Sequence, residues 1–255
     1  MQLATWNVNS LTVRLPQVLD WLAANPVDVL VLQETKMTDD KFPAAAFLEV
    51  GYNAQWFGQK TYNGVALLSK TGLAVSDVVK NIPGFTDDLA RVITATVDDI
   101  RVIGAYFPNG QEPGSEKFDY KMNWLKGLRD WLKTELQAHP KLVIMGDYNI
   151  TFDDLDVWDP VGLEGTIHCT EEERYQLRAL IALGLTDAVR LFDQPAKNYS
   201  WWDYRDFRFR KNQGLRIDHI LVSNALKPSV TACAIDKLPR KNERPSDHAP
   251  VVVTL

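Results

Sequence analysis

The chain has 255 residues, enough to bury a sizeable core as one large domain or two small ones. Hydrophobic residues make up 45% and charged residues 24%, which is usual for a soluble globular protein. No apolar run approaches the roughly 20 residues that a transmembrane helix needs, and the first residues lack the basic start and apolar stretch of a signal peptide. Cys169 and Cys233 form no CxxC pair and are too few for a disulfide scaffold. Composition therefore predicts a reduced, cytoplasmic protein, a monomer by default.

The net charge of −5 argues against an indiscriminate nucleic-acid binder. It does not exclude a DNA enzyme, because a metal-dependent phosphodiesterase needs clustered carboxylates that lower the total. One basic segment, RDFRFRKNQGLR (residues 205–216), mixes arginine and lysine with aromatic and aliphatic residues. This segment is predicted either to contact DNA phosphates or to form a solvated loop.

Short apolar runs alternate with helical patterns from end to end, without a long linker, repeat or low-complexity segment. The β-branched content and the length of these runs favour strands over buried helix turns. The predicted strands are residues 3–8, 27–33, 65–69, 91–97, 102–107, 142–146, 217–223 and 250–255.

Three segments have helical spacing of apolar residues: 16–24, 115–138 and 171–183. Pro16 is acceptable in the first turn of a helix. Thr170 and Glu173 form a capping-box pattern, and Gly184 offers a stop. Many strands with a few helices predict one α/β domain spanning residues 1–255, with two β-sheets packed face to face and helices outside.

Polar side chains stand where predicted strands begin or end. Glu34 and the pair Asp147 and Asn149 each follow a strand, Asp218 opens one, and Asp247 and His248 immediately precede the last. If neighbouring strands run antiparallel, these side chains converge at one rim of the sandwich. Each alone is unremarkable, since a glutamate after a strand is more often an ordinary loop residue.

Hydrolysis of a phosphodiester requires such a set. The anionic backbone repels hydroxide, so a cation must neutralise it, and Mg²⁺ prefers carboxylate oxygens. A base must activate water and a donor must stabilise the charged transition state. An aspartate that holds one nitrogen of a histidine fixes its tautomer and supports its positive form.

Seven motifs make the chain recognisable. They are WNVNSL (6–11), LQETK (32–36), YFPNG (106–110), GDYNI (146–150), YSWWDYR (199–205), GLRIDHIL (214–221) and PSDHAPV (245–251). In order and spacing they resemble the exonuclease III family over nearly the whole chain. The resemblance implies a four-layer sandwich of the deoxyribonuclease I type. It also implies a Mg²⁺-dependent DNA repair phosphodiesterase, with Mn²⁺ as a substitute, acting on 3′ ends of duplex DNA and at abasic sites.

By this resemblance, the metal region is built from LQET, WNVNSL and SDH. Glu34 corresponds to the principal metal ligand. Asn7, with Asn9 as an alternative, corresponds to a second contributor, and Asp247 to another carboxylate on the metal side.

The same resemblance assigns the catalytic groups. Asp147 corresponds to the residue that activates water or handles the leaving-group proton, and Asn149 to a transition-state hydrogen-bond donor. Asp218 corresponds to the aspartate that orients the catalytic histidine, His248. Tyr106 corresponds to the tyrosine whose hydroxyl reaches the phosphate. Which of Asp147 and His248 takes the proton of the attacking water stays open.

Substrate selection involves other positions. Trp201, Leu215 and Ile217 match the apolar pocket that receives a flipped-out abasic sugar, a pocket that penalises a normal nucleotide. For Ile217, core packing at the sandwich edge is an equal alternative. Lys121 and Arg91 are predicted contacts to the DNA backbone.

The chain departs from the family pattern at HCTEEER (168–174). Many members have a small residue and then an aromatic one where this chain has His168 and Cys169. An imidazole there is predicted to fill space needed by the nucleotide 5′ to a lesion, and so to weaken abasic-site cleavage while sparing 3′-end processing. The alternative is that His168 is only a cap or surface residue.

Two other functions stay open at this stage. One is a phosphoesterase on the same fold that acts on a phosphoinositide, sphingolipid or nucleotide headgroup. The other is a catalytically silent DNA-binding relative, although every expected catalytic side chain is present.

Overall fold

The computed structural model describes residues 1–255. Buried β-branched and aliphatic residues form strands at the centre of the molecule. Twelve strands form: β1 (Gln2–Asn7), β2 (Val29–Gln33), β3 (Tyr52–Phe57), β4 (Val65–Lys70), β5 (Val75–Lys80), β6 (Val92–Val97), β7 (Ile100–Tyr106), β8 (Leu142–Asp147), β9 (Leu185–Asp187), β10 (Asp218–Ser223), β11 (Ala232–Ile235) and β12 (Val251–Thr254). They divide into two mixed six-stranded sheets, ordered β11-β12-β1-β2-β4-β3 and β5-β6-β7-β8-β10-β9.

Four helices cover the outer faces: α1 (Leu11–Ala24), α2 (Ala44–Glu49), α3 (Glu116–Ala138) and α4 (Glu171–Ile181). The inner faces of both sheets share one apolar core, which includes Val31 and Val143. α1 and α2 pack on the outer face of the first sheet, and α3 and α4 on that of the second. The predicted four-layer sandwich is therefore confirmed. No helix combines the length and the apolar character required to cross a membrane.

All eight predicted strands form, and the four that were missed are β3, β5, β9 and β11. These are the edge strands of the two sheets. An edge strand is covered on one side only, so its sequence lacks the continuous apolar run of a central strand; most of β5, for example, is exposed. The sequence pattern therefore identified the centre of each sheet and not its margins.

The helices differ from prediction mainly in α1, which begins at Leu11 and contains Pro16 in its interior. The prediction that Pro16 lies in the first turn was wrong. α3 and α4 begin where predicted: Ser115 caps α3, and Thr170 and Glu173 form the capping box of α4. An additional short helix, α2, was not predicted.

The strand register brings the predicted polar ends together. β8 and β10 are antiparallel, with Asp147 opposite Asp218, and β7 runs parallel to β8, with Tyr106 opposite Asp147. In the other sheet, β1 lies between β2 and the antiparallel β12. The end of β2 and the segment before β12 thus reach the same rim of the sandwich.

Candidate active site

His248 lies between two aspartates at this rim. Its Nδ1 is 2.9 Å from Oδ2 of Asp218 and 3.1 Å from Oδ1, and its Nε2 is 3.7 Å from Oδ2 of Asp147. Burial by itself lowers the pKa of His248, but the carboxylates of Asp218 and Asp147 raise it to about 10. The imidazole is therefore positively charged at neutral pH.

Asp147 has the opposite electrostatic situation. Burial raises its pKa to about 7; the charge of His248 acts in the opposite direction, and Asp218 adds to the rise. The shared proton therefore resides on the imidazole, and Asp147 is a buried acceptor whose pKa is close to neutrality.

Ser200 also supports Asp218. The Ser200 hydroxyl donates to Oδ2 of Asp218 at 2.7 Å. Oγ of Ser200 also accepts hydrogen bonds from the backbone N–H groups of Ile217 and Asp218, at 3.1 and 3.0 Å. Asp218 is completely buried. Its carboxylate orientation, and with it the ring orientation of His248, is fixed by these contacts.

Glu34 approaches Asp147 from the end of β2, and Asn7 joins them. The amide of Asn7 donates to Oε1 of Glu34 at 2.8 Å and to Oδ2 of Asp147 at 2.9 Å. Its carbonyl oxygen accepts the N–H of Asn9 at 2.9 Å. Asn7 thus holds two carboxylates together, which is a supporting position in the predicted metal region.

The donor set fits a hard divalent cation. Glu34, Asp147 and His248 each offer an atom, and these atoms lie within 4.8 Å of one another. A protonated imidazole cannot be a ligand, because both ring nitrogens then carry protons. The carboxylate oxygens of Glu34 and Asp147 remain, and Mg²⁺ and Mn²⁺ prefer oxygen ligands of this kind.

Asp247 lies outside this cluster. Its Oδ1 accepts the amide of Asn9 at 3.0 Å, and its Oδ2 accepts the indole N–H of Trp201 at 2.9 Å. Asn9 in turn accepts from Lys36 at 2.6 Å, whose ammonium pairs with Glu34 at 2.8 Å. Asp247, predicted as a further carboxylate on the metal side, therefore contacts Asn9 and Trp201 and reaches Glu34 only through Asn9 and Lys36.

Asn149 and Tyr106 complete the rim. The amide of Asn149 donates to the carbonyl of Phe107 at 3.1 Å and accepts from Asn109 at 3.2 Å, which leaves one of its two N–H groups for a ligand. Tyr106 lies beside Glu34 and Asp147; burial first, and then both carboxylates, raise its pKa well above the ordinary value. Its hydroxyl therefore keeps its proton and acts as a hydrogen-bond donor.

The predicted apolar pocket is assembled as a small cluster. Leu215 and Ile217 pack with Val157 and Cys169, and Trp201 lies partly buried against them. The backbone of Trp201 also forms single antiparallel β-bridges with Leu215 and with His248. The pocket therefore adjoins His248 directly.

His168 is buried, with 8% of its surface exposed, so it is not a surface residue. Its Nδ1 donates to the carbonyl of Asn149 at 2.7 Å, and its ring centroid lies 6.4 Å from that of Trp201. Burial, reinforced by the charge of Lys121, lowers its pKa to about 4. A neutral imidazole therefore occupies the space between the loop that carries Asn149 and the apolar pocket at Trp201.

Lys121 is not free to contact DNA as predicted, and Arg91 is largely engaged with neighbouring residues. Lys121 is completely buried and pairs with Glu173 at 2.5 Å. Arg91, 8% exposed, donates to the hydroxyl of Tyr120 at 3.0 Å and the carbonyl of Tyr106 at 3.3 Å. The prediction for Lys121 was wrong, because that face of α3 points into the protein.

Arg91 does border a cavity of about 460 Å³ beside Tyr106 and Asn109. Lys117, one helical turn before Lys121, is exposed and also lines this cavity. An accessible cation is thus present next to the site, on the adjacent face of α3.

The basic segment 205–216 divides into two parts. The side chain of Arg205 is 84% exposed, and Phe207 is 69% exposed. Arg216 is buried and forms ion pairs with Asp156 at 2.7 Å and Asp187 at 2.8 Å. Only the first part of the segment can meet a phosphate backbone.

No role in the site was predicted for four of these residues: Ser200, Lys36, Asn109 and Glu173. The first three lie inside recognised motifs, YSWWDYR, LQETK and YFPNG, so the motifs themselves were the available signal. Glu173 was recognised only as a capping residue, and its ion pair with Lys121 spans 52 positions of sequence.

Comparison with known proteins identifies the family. The sequence pattern described as the Endonuclease/Exonuclease/phosphatase family matches residues 4–248. Exodeoxyribonuclease III of Haemophilus influenzae is 35% identical, over 98% of this chain and 98% of that protein.

Solved structures agree with this match. The 3′ phosphatase NExo from Neisseria, bound to a product DNA hairpin, has a TM-score of 0.97 at 46% identity, covering 100% of this chain and 99% of that one. An AP endonuclease from Archaeoglobus fulgidus has a TM-score of 0.96 at 34% identity, with coverages of 100% and 99%. The resemblance seen in the motifs is confirmed, and the chain belongs to the exonuclease III group of the Endonuclease/Exonuclease/phosphatase family.

Proposed function

We propose that this protein is a Mg²⁺-dependent DNA repair phosphodiesterase that processes the 3′ ends of duplex DNA. The observation that carries the proposal is the placement of His248 between Asp218 and Asp147, next to Glu34. A proton acceptor, a fixed positive charge and a metal-suited carboxylate are the groups that phosphodiester hydrolysis needs.

Asp147 is assigned the proton of the attacking water. It is a buried carboxylate beside Glu34, and its Oδ2 lies 3.7 Å from Nε2 of His248, so it is an acceptor placed next to the positive charge of the site. His248 keeps its proton, since its pKa is about 10, and presents a positive Nε2 to the phosphate. Asp218 stabilises that charge from the other side of the ring.

Asn149 and Tyr106 are assigned to charge stabilisation. Each has a proton to donate, one from an amide N–H and one from a hydroxyl whose pKa is far above neutrality. Donors that are fixed before the reaction stabilise developing negative charge without reorganisation.

Glu34 is the carboxylate that would hold the metal ion, and Asn7 fixes its separation from Asp147. A Mg²⁺ ion held there would offset the negative charge of the phosphate and favour ionisation of water. Mn²⁺, which prefers the same oxygen ligands, is the expected substitute.

DNA as the substrate is supported by the named relatives and by the surface. An exodeoxyribonuclease III and a 3′ phosphatase bound to a DNA hairpin are among the similar proteins. Lys117 supplies an accessible cation beside Tyr106 and Asn109, and phosphate contacts dominate affinity for DNA. A phosphoinositide or other non-DNA headgroup gains no comparable support.

The preference for 3′ ends over internal abasic sites rests on His168. Its imidazole is buried between Asn149 and Trp201, where a small residue would leave room for the neighbouring nucleotide. A 3′ end keeps the nucleotide on its 5′ side and lacks the one on its 3′ side. An imidazole that spares 3′ ends must therefore obstruct the nucleotide 3′ to an internal lesion, and not the 5′ nucleotide predicted from the sequence. His168 is therefore assigned to weaken abasic endonuclease activity while leaving 3′-phosphate removal intact.

Two labelled duplexes test the proposal, one with a recessed 3′-phosphate and one with an internal abasic-site analogue, each with Mg²⁺ or EDTA. We expect Mg²⁺-dependent release of phosphate from the 3′ end and slow cleavage at the abasic site. Equal cleavage of both would refute the 3′ preference. Turnover of neither would refute the DNA repair function and direct attention to other phosphoesters, and binding without turnover would identify a silent relative.

A further inference from the structure

A completely buried ion pair lies behind the candidate active site. Lys121 on α3 and Glu173 on α4 both have side-chain exposures of 0%. A buried charge is costly unless it is paired and fully hydrogen-bonded. The arrangement therefore needs a reason that an apolar pair of similar volume would not satisfy.

Every donor of the lysine is used. The Lys121 ammonium donates to Glu173 at 2.5 Å, to the carbonyl of Asn149 at 2.8 Å and to the carbonyl of Asn109 at 3.1 Å. An ammonium has three N–H bonds, so none is free for substrate. The two carbonyls belong to the loops after β7 and β8, which carry Tyr106 and Asp147.

The carboxylate of Glu173 holds a third loop. Its Oε1 accepts the N–H of His168 at 3.1 Å, and its Oε2 accepts the N–H of Thr170 at 3.1 Å and the hydroxyl of Thr170 at 2.7 Å. Together the two side chains cross-link the segments 107–110, 147–151 and 167–170. These segments contain Asn109, Asn149 and His168, which face the site.

The backbone in these segments is unusual for its residue types. Asn149 and His168 have φ angles of 52° and 72°, in the left-handed region that costs energy for residues other than glycine. The resulting turn points the Asn149 carbonyl inward, where it also accepts Nδ1 of His168. A buried carbonyl requires buried donors, and Lys121 supplies one.

Gly110 shows how closely the lysine stem is packed. Its φ is 87°, and a Cβ there would lie 2.9 Å from Cδ of Lys121 and 3.1 Å from Ile167. The methylene chain of Lys121 therefore also fills the space beneath the Asn109 turn.

We propose that the Lys121–Glu173 ion pair is a positioning element that holds the side chains of Asn109, Asn149 and His168 in the geometry of the site. Neither residue touches the reacting atoms. Both act through the loops that they cross-link. This inference rests on the proposed function only for its kinetic consequence, because the cross-link itself is independent of the substrate.

The variants are Lys121→Met, Glu173→Gln and the double variant Lys121→Met/Glu173→Gln. Each single change leaves an uncompensated buried charge and lowers thermal stability, whereas the double change removes both charges. A matched control is Arg101→Met/Glu135→Gln. Arg101 of β7 is 3% exposed and pairs at 2.9 Å with Glu135, which lies on α3 as Lys121 does. Arg101 also donates to the carbonyl of Asp77 at 2.7 Å, but it contacts none of the loops of the site.

Steady-state kinetics on the recessed 3′-phosphate duplex provide the first measurement. We expect kcat of Lys121→Met and of the double variant to fall about tenfold or more with little change in KM, since small displacements of catalytic groups are costly. We expect the control to lose thermal stability but to keep kcat within about twofold. A double variant that is folded and retains the unaltered kcat would overturn the proposal.

Amide hydrogen exchange of the metal-free protein provides the second measurement, which does not depend on activity. Exchange in 107–110, 147–151 and 167–170 is expected to accelerate in the double variant and not in the control. Unchanged exchange there would also overturn the proposal. If the unaltered protein lacked turnover, the proposed function would fail, but hydrogen exchange would still test the positioning role. If Lys121→Met failed to fold, the double variant would test the positioning role instead.

Discussion

Asp147 and Asp218 are directly opposite each other in the antiparallel pair of β8 and β10, and each lies against a different nitrogen of His248. Residues paired across a strand ladder are held by backbone hydrogen bonds, so neither carboxylate can move independently of the sheet. The charge of the imidazole is therefore set by the rigid core of the protein and not by a mobile loop.

Asp218→Asn is expected to lower kcat on the 3′-phosphate duplex by about 100- to 10 000-fold, because an amide no longer stabilises the imidazolium or fixes its tautomer. Ser200→Ala leaves the carboxylate but removes its 2.7 Å hydrogen bond, and we expect a smaller loss of about 10-fold. Steady-state kinetics measure both. An Asp218→Asn variant with normal kcat would contradict the assignment of His248 as the charged catalytic group.

The different positions of Asn7 and Asp247 predict different responses to metal. Asn7→Ala removes the amide that bridges Glu34 and Asp147, and we expect the Mg²⁺ concentration for half-maximal activity to rise about 10- to 100-fold. Asp247→Asn leaves the carboxylates of the cluster in place, and its half-maximal Mg²⁺ concentration should change less than about threefold.

Calorimetric titration with Mn²⁺ separates binding from turnover in these two variants. Equal weakening of metal binding by both would show that Asp247 belongs to the metal site after all. Loss of activity in Asp247→Asn with unchanged metal binding would instead agree with its contact to Trp201.

His168→Gly is expected to raise kcat/KM for abasic-site cleavage by about 10- to 200-fold, the range that steric fit in a pocket commands, with 3′-phosphate removal unchanged. The variant should fold well, because the φ of 72° at this position suits glycine. His168→Gln keeps the bulk and is the control, for which no gain is expected. Parallel assays on the two labelled duplexes measure the change, and an unaltered abasic rate in the glycine variant would refute the steric role.

The fold and the central residues of the candidate site could be predicted because both leave local signals. Central strands are continuous apolar runs, and Glu34, Asp147 and His248 stand immediately beside such runs. Edge strands such as β5 and β11 leave no such signal, since they are half exposed.

Side-chain direction was the part that sequence could not supply. The sequence around Lys121 predicts an exposed cation on an amphipathic helix. In the structure Lys121 is buried, because it pairs with Glu173, which lies 52 positions away in the sequence. Asp247 is adjacent to His248 in sequence, but the turn before β12 points its carboxylate to Asn9 and Trp201 instead of to Glu34. Such contacts depend on the packing of separate loops, for which no local pattern exists.

The buried neutral histidine His219 predicts sensitivity to acid. Burial, together with the charge of Arg216, lowers its pKa to about 4 from 6.5. Its ring accepts from Arg216 at 3.0 Å and donates to the carbonyl of Ile150 at 2.8 Å. The unfolded chain takes up this proton below pH 6.5 and the folded protein does so only near pH 4, so stability falls as the pH decreases across that interval.

Between pH 7 and pH 5 this one group is expected to remove about 2 kcal/mol from the free energy of unfolding, from the 1.36 kcal/mol that each pKa unit represents. His219→Gln keeps a donor toward Ile150 but cannot titrate. We therefore expect the variant to be less stable than the unaltered protein at pH 7 and to lose about 2 kcal/mol less on going to pH 5. Urea unfolding at the two pH values measures the difference, and parallel losses in both proteins would show that His219 is not the acid-sensitive group.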